Sequence, residues 1–358
     1  MNIIELRKKY GNEAKCIRHL EKVKWNGRPI CAFCSSTNLT KRQTGKGRYH
    51  CNTCNKDFSV LHGTIFEGSK LPLNTWFLIV SLMLNAKSGV SAKEIERQVG
   101  ITYKSAWYAC MRIRTAMIEH NELFTGIVEM DEGYVGGKPR HITTTLPDNV
   151  PSISHIDEQQ VKNKRGRGTK KIPVVGIVSR GKEGKVATQV SKRLTSKNLL
   201  EILKKNVDTN EAMLVTDDFK SYKKFSEHIN HIIAAHEKQT GAAHTKNIDN
   251  FFSIIKNGIK GSYKAISPKY LPLYLTEYGY KYNKRNIPDD FKETIEGSVE
   301  TKRSFKNYKP KSPVDTIVYG EKKKKKKTEV KTTIKSKKTT MKKSSKTLKF
   351  YLKNIQNR

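Results

Sequence analysis

Three aspartates sit where apolar stretches end or begin, in a pattern that suits metal chemistry. Asp131 follows Ile127, Val128 and Met130 in IVEMDEGYVGGK (127–138), which reads as a buried strand turned away at Gly136-Gly137. Asp217 closes the apolar run AMLVTDD (212–218), and Asp249 lies near the start of the helical pattern NIDNFFSIIK (247–256). A carboxylate at the end of an apolar strand is costly to bury unless it is paired or holds a metal. Taken singly, each acid also has a simpler role. A strand-end aspartate caps turns, Asp217-Asp218 can cap a helix from Phe219, and Asp249 can complement a helix dipole. Together, the three suit a hard cation such as magnesium or manganese, which takes oxygen ligands. Two such ions about 3.5–4 Å apart can activate an attacking oxygen and stabilise the leaving oxygen of a phosphodiester. Lys256 follows Asp249 by two helical turns and shares its face, where it can hold a phosphate. Asn250 is rotated about 100° from Asp249 and is a candidate substitute or outer ligand. Ile248, Phe251, Phe252, Ile255 and Ile259 form the expected core stripe of that helix.

The cysteines carry a second signal. Cys31-x2-Cys34 and Cys51-x2-Cys54 are separated by 16 residues, inside the window of a four-thiolate zinc site. Each pair presents two sulfurs from one tight turn to a tetrahedral ion. Arg48-Tyr49-His50 and Asp57-Phe58-Ser59 suit the short strands of a zinc ribbon, with a structural zinc. The alternative is four unrelated reduced cysteines. Cys16 and Cys110 fall outside the pattern and read as packing residues, and His50 is surplus to a four-cysteine site.

Elements must hold these groups in place. Leu71–Asn85 is apolar enough for a buried helix. Ser91–Val99 repeats apolar residues at helical spacing, Gly100 breaks it, and Thr102–Met117 restarts behind a capping threonine. Helix, glycine turn and helix suggest a helix-turn-helix, with Lys104, Arg112 and Arg114 as nucleic-acid contacts on a face backed by Ala106, Trp107, Ala109 and Ile113. A plain helical hairpin with a solvated basic side remains open. From Gly126 the pattern gives three strands, a helix, a strand, a short helix from Phe219, a strand near Ile229–Ala234, and helices over Asn247–Gly258 and Pro268–Arg285. That order predicts a mixed α/β layer with an antiparallel hairpin beside parallel strands.

The expected organisation is a helical lead-in (1–27), a zinc ribbon (28–62), a helix-turn-helix-like segment (70–120) and an α/β catalytic domain (126–286) carrying a basic insertion (138–171). An extension (287–320) and a disordered Lys-rich tail (321–358) follow. The net charge is +37 over 358 residues. The tail's 16 basic and 2 acidic residues supply 14 of that surplus, so +23 lies elsewhere. Such a balance points to a polyanion, most simply nucleic acid. No apolar run approaches a transmembrane length, and the first residues lack a signal core, so an intracellular, membrane-free location is expected.

With these residues in view, the chain resembles zinc-ribbon-bearing insertion-sequence transposases related to the Merlin transposons. The matching stretches are CAFC…CNTC, SAKEIERQVGITYKSAWYACMRIRTAM, VEMDEGYVGGK, RGRGTKKIPVVGIV, VTDDFKSY, HTKNIDNFFSIIKNGIKGSY and SPKYLPLYLTEYGYKYNKR, in the expected order over roughly residues 20–286. The resemblance implies a ribonuclease-H-like fold and a D-D-E or D-D-N catalytic set. Asp131 and Asp217 match the two aspartates, Asp249 falls where the family most often has glutamate, and Lys256 falls on its basic follower. Aspartate is a methylene shorter. Either Asp249 serves after a small helix shift, or Asn250 takes the role, or this copy is inactive. The implied activity is nicking at transposon ends and attack of the freed 3′-hydroxyl on target DNA. The implied partners are double-stranded DNA and further copies of the chain in the end-bound complex. The location would be the cytoplasm and nucleoid, or the nucleus in a eukaryotic host. The competing expectations are a ribonuclease-H-like nuclease without strand transfer and an inactive, transposase-derived DNA-binding protein.

Overall fold

In the computed structural model the described residues are 1–43, 47–119, 122–135, 171–191, 194–234 and 244–299. They fall within one compact unit. The basic insertion expected at 138–171 (save Lys171), the extension beyond residue 299 and the Lys-rich tail lie outside the described residues.

Side-chain caps mark the helix starts near the N-terminus. Helix α1 (Ile3–Tyr10) opens with a capping box between Asn2 and Glu5, and α2 (Glu13–Trp25) opens at Asn12. The zinc-ribbon strands β1 (Leu39–Lys41), β2 (Arg48–Cys51) and β3 (Lys56–Ser59) form an antiparallel sheet in that order. Helix α3 (Leu73–Asn85) buries Leu73, Trp76, Phe77, Ile79, Val80 and Met83, the buried helix predicted from its composition. Ser91 caps α4 (Ala92–Val99), which ends at Gly100 with φ 72°, a left-handed stop that glycine adopts without strain. Thr102 then caps α5 (Tyr103–Ala116) through the Ser105 amide, as its sequence predicts.

The second layer system is a five-stranded sheet. Its strands are β4 (Phe124–Val135), β5 (Ile172–Ser179), β6 (Val186–Val190), β7 (Val207–Thr216) and β8 (Asn230–Ile233), in the order β6-β5-β4-β7-β8. β4, β5 and β6 pair antiparallel, whereas β4–β7 and β7–β8 are parallel. A three-strand meander whose first strand also begins a parallel set is the ribonuclease-H-like arrangement that the resemblance implies. Helix α6 (Ser196–Asn206) and a 3-10 segment (Lys220–Glu227) cover one face, packing Leu199, Leu203, Tyr222 and Phe225 on Val128, Met130 and Ile177. Helices α7 (Lys246–Gly258) and α8 (Leu271–Asn283) cover the other, packing Ile248, Phe252, Ile255 and Tyr278 on Val174 and Val178. With both faces covered, β5 is apolar from Ile172 to Val178, as buried strands are.

Helix α9 (Asp290–Val299) follows where the apolar pattern thins, yet Phe291 and Ile295 are buried. They join Leu6, Leu20, Phe77, Ile95, Ile113 and Tyr280 in one helical core. The N-terminal lead-in, the α3–α5 segment and α9 therefore close over shared apolar surface.

Candidate metal centres and nucleic-acid surface

In the ribbon, Cys31 and Cys54 bring their Sγ atoms to 3.7 Å, and Cys34 and Cys51 to 3.5 Å. Four thiolates about 2.3 Å from one ion require sulfurs about 3.8 Å apart in a tetrahedron. All four lie within 4.8 Å of one another, so the set fits zinc. The knuckle also donates the Phe33 amide to Cys31 Sγ at 3.4 Å. Burial opposes a thiolate at Cys51, but the amides of Cys54 and Thr53 and the neighbouring thiols outweigh it and bring its pKa down to about 6. His50 accordingly does other work, meeting Asp57 Oδ1 at 2.9 Å. Cys16 and Cys110 are buried, as their place outside the pattern suggests.

On the sheet, β4 carries its side chains alternately to the two faces. Val128 and Met130 enter the core under α6, while Asp131 pairs with Gly176 and faces α7. Gly133 and Gly176 leave room for that helix. A Cβ at Gly133 would stand 2.6 Å from the Phe252 ring, and one at Gly176 would stand 2.5 Å from Ile248 Cδ1. Asp217 follows directly on β7, the parallel neighbour of β4. Asp131, expected at a strand end, stands instead inside β4, which runs on to Val135 paired with β5. Each aspartate lies two residues beyond the Glu129–Val215 pair that joins the two strands. Asp217 Oδ1 accepts the Phe219 amide at 3.2 Å, a turn bond ahead of the 3-10 segment. That segment itself carries no side-chain cap, so the expected helix-capping role is not seen.

Among the described residues, the acids that come within 4.8 Å of one another are Asp131, Glu132 and Asp217. Glu132 was not anticipated. It leans to the α6 side, where the buried Tyr222 hydroxyl donates to Oε2 at 2.5 Å. Burial pushes the Asp131 carboxyl up to about 7, helped by the negative charges of Glu132, Asp217 and Asp249 and opposed by the Glu132 amide. An acid site that resists full ionisation on its own is one that a divalent cation would stabilise.

Asp249 is exposed on the first turn of α7, outside that close group yet near enough for its charge to act on Asp131. Thr245 Oγ1 donates to Asp249 Oδ2 at 3.4 Å. Asn250 is exposed, and Lys256 is exposed with Nζ 6.0 Å from the Phe252 ring centre.

The expected DNA-reading face of α5 needs correction. Lys104 is exposed on the first turn, beside Tyr103. Arg112 and Arg114 are buried. Arg112 donates to the Glu67 carbonyl at 2.7 Å, and Arg114 Nε meets Glu277 Oε2 at 2.8 Å. The second half of α5 lies between α3 and α8, so neither guanidinium can enter a groove. Among the described residues no helix is long and apolar enough to cross a membrane.

Comparison with known proteins agrees with this anatomy. Residues 11–57 match the transposase zinc-ribbon domain, and residues 124–283 match the ISXO2-like transposase domain. An uncharacterized protein in transposable element ISH50 of Halobacterium salinarum is 22% identical over 225 residues, 62% of this chain and 72% of that one. A pre-cleavage Mos1 transpososome aligns at 10% identity and TM-score 0.28, covering 63% of this chain and 78% of that chain. The Mos1 strand transfer complex aligns at 10% identity and TM-score 0.23, covering 61% and 76%. Scores this low define neither a shared fold nor a shared function. The two domain matches stand in the same order as the ribbon and the sheet, and the chain belongs to the zinc-ribbon-bearing insertion-sequence transposases.

Proposed function

We propose that this transposase binds the ends of its element and catalyses both phosphodiester hydrolysis and strand transfer at the Asp131–Asp217 site. The observation that carries the proposal is the convergence of Asp131 and Glu132, within β4, with Asp217, just past the end of the parallel strand β7. Asp131 and Asp217 would hold magnesium or manganese, with Asp249 approaching from α7. Bound there, the metal would supply a polarised oxygen nucleophile and charge neutralisation at phosphate. The chain's own groups do the rest. The sheet fixes the two aspartates, and Lys256 offers a cation to the substrate phosphate on the same helix face as Asp249. Asn250 is the alternative third ligand.

The four cysteines would hold one structural zinc. The basic surplus draws double-stranded DNA by counterion release, with Lys104 the remaining contact on α5. Joining two ends calls for at least two copies in the working complex, acting where the cell's DNA lies. The domain limits that follow are a zinc ribbon over 28–62 and a catalytic domain over 126–286.

Incubation of purified protein with end-bearing DNA and a target duplex in magnesium tests this. Joined products are expected. Cut ends without joining would indicate a nuclease, and metal-independent binding alone would indicate an inactive descendant.

A further inference from the structure

Glu129 lies two residues before Asp131, on the same face of β4, and is 0% exposed. Its carboxylate is fully engaged. Oε2 accepts the backbone amides of Asn247 at 2.9 Å and Ile248 at 3.1 Å. Oε1 accepts Asn247 Nδ2 at 2.9 Å and Arg180 Nε at 2.6 Å, with His244 Nδ1 at 3.4 Å. Arg180 in turn bonds both His244 Nδ1 and the His244 carbonyl.

The amides of Asn247 and Ile248 belong to the second and third residues of α7, the ones an N-cap side chain normally satisfies. Thr245, the residue at the cap position, makes no such bond. Glu129 therefore caps α7 from another element, through a buried strand. Four residues further along the same strand face, Gly133 receives the Phe252 ring. The helix is thus pinned to β4 on both sides of Asp131, at Asn247–Ile248 and at Phe252. Asp249 lies between the two pins.

We propose that Glu129 is a positioning residue of the metal site: by capping α7 from β4 it fixes Asp249 relative to Asp131. The proposal rests on the assignment of Asp131 as a metal ligand. A short aspartate has little reach of its own, so its place depends on where the helix backbone is held.

The test is manganese binding to the full, zinc-loaded chain without DNA, followed by electron paramagnetic resonance of the free ion. In the parent, binding should be abolished by Asp131→Ala. Glu129→Gln keeps the shape but loses the charge facing Arg180 and turns a donor toward donors. It should weaken manganese binding by about 10–100-fold, the range for groups that orient metal ligands. Asn247→Ala, which removes a single bond to Oε1, should shift binding in the same direction by less. In an Asp249→Ala background, Glu129→Gln should add little, because it acts through Asp249. Should Glu129→Gln not fold, Asn247→Ala decides alone. Unchanged manganese affinity in the folded variants overturns the positioning role, as does an undiminished effect without Asp249. If the parent shows no Asp131-dependent manganese binding, the metal-site assignment itself fails.

Discussion

Arg114 on α5 and Glu277 on α8 form an ion pair sealed inside the protein, Nε to Oε2 2.8 Å, with side-chain exposures of 2% and 0%. Lys281 Nζ joins Glu277 Oε1 at 2.6 Å, and the Tyr263 hydroxyl lies 3.2 Å from Oε2. The Tyr274 ring centre stands 4.0 Å from the guanidinium carbon. The network fastens α8, which covers the five-stranded sheet, to the helical core. Breaking it by Arg114→Ala leaves a buried carboxylate short of a partner and should cost about 3–5 kcal/mol. Urea unfolding measures this. A variant of parental stability that has lost DNA affinity would return Arg114 to the DNA surface.

The ribbon's small core, Tyr49, Phe58 and the sulfurs against Trp25, cannot support it alone. Metal binding and folding should therefore be linked there. About one zinc per chain is expected by elemental analysis. Cys51→Ser should release it and expose residues 28–60 to proteolysis. Metal-free protein with the same protection would contradict this.

Gly133 should tolerate no side chain, because its would-be Cβ lies 2.6 Å and 2.7 Å from two Phe252 ring carbons. A buried aromatic ring moves only with its helix. Gly133→Ala should cost about 1–3 kcal/mol as an overpacked core position. Thermal unfolding at parental stability would show that α7 is held less closely than described.

The Asp131 carboxyl should leave a signature in stability without added divalent metal. Its pKa rises from 3.8 to about 7 on folding, so the folded chain keeps a proton that the unfolded chain has released. That contribution is fully present below about pH 4 and is lost as pH rises through about 7. Asp131→Asn removes the charge and the dependence. The variant should melt above the parent at pH 8, by a smaller margin at pH 5, and close to it only near pH 4. Parallel melting profiles across this range would contradict the assignment.

Much of this was legible in the chain itself. Ser91, Gly100 and Thr102 announced the ends of α4 and the start of α5, because capping is a local event. Asp131 and Asp217 stood out as acids closing apolar runs; β7 does end before Asp217, whereas β4 runs on past Asp131 to Val135. What was not legible depends on distant partners. Arg114 looked like a surface residue because Glu277 is 163 positions away. Glu129 gave no signal beyond its place at i−2 to Asp131, since its partners lie between 51 and 119 residues on, Arg180 after β5 and Asn247 and Ile248 on α7. Glu132 was hidden by alternation. It points to the opposite face from Asp131, yet Asp217 sits at the strand end, where both can be approached. Phe291 and Ile295 were too sparse a pattern to mark α9, and they are buried because α2, α3 and α5 converge on them.

Metal-dependent cleavage of end-bearing DNA by Asp131→Ala and Asp217→Ala is the most direct test of the central claim. Both variants should bind the ends with parental affinity and cut them at least 100-fold more slowly in magnesium or manganese, about 2.7 kcal/mol or more at the barrier. Cleavage by Asp131→Ala at the parental rate would contradict the account.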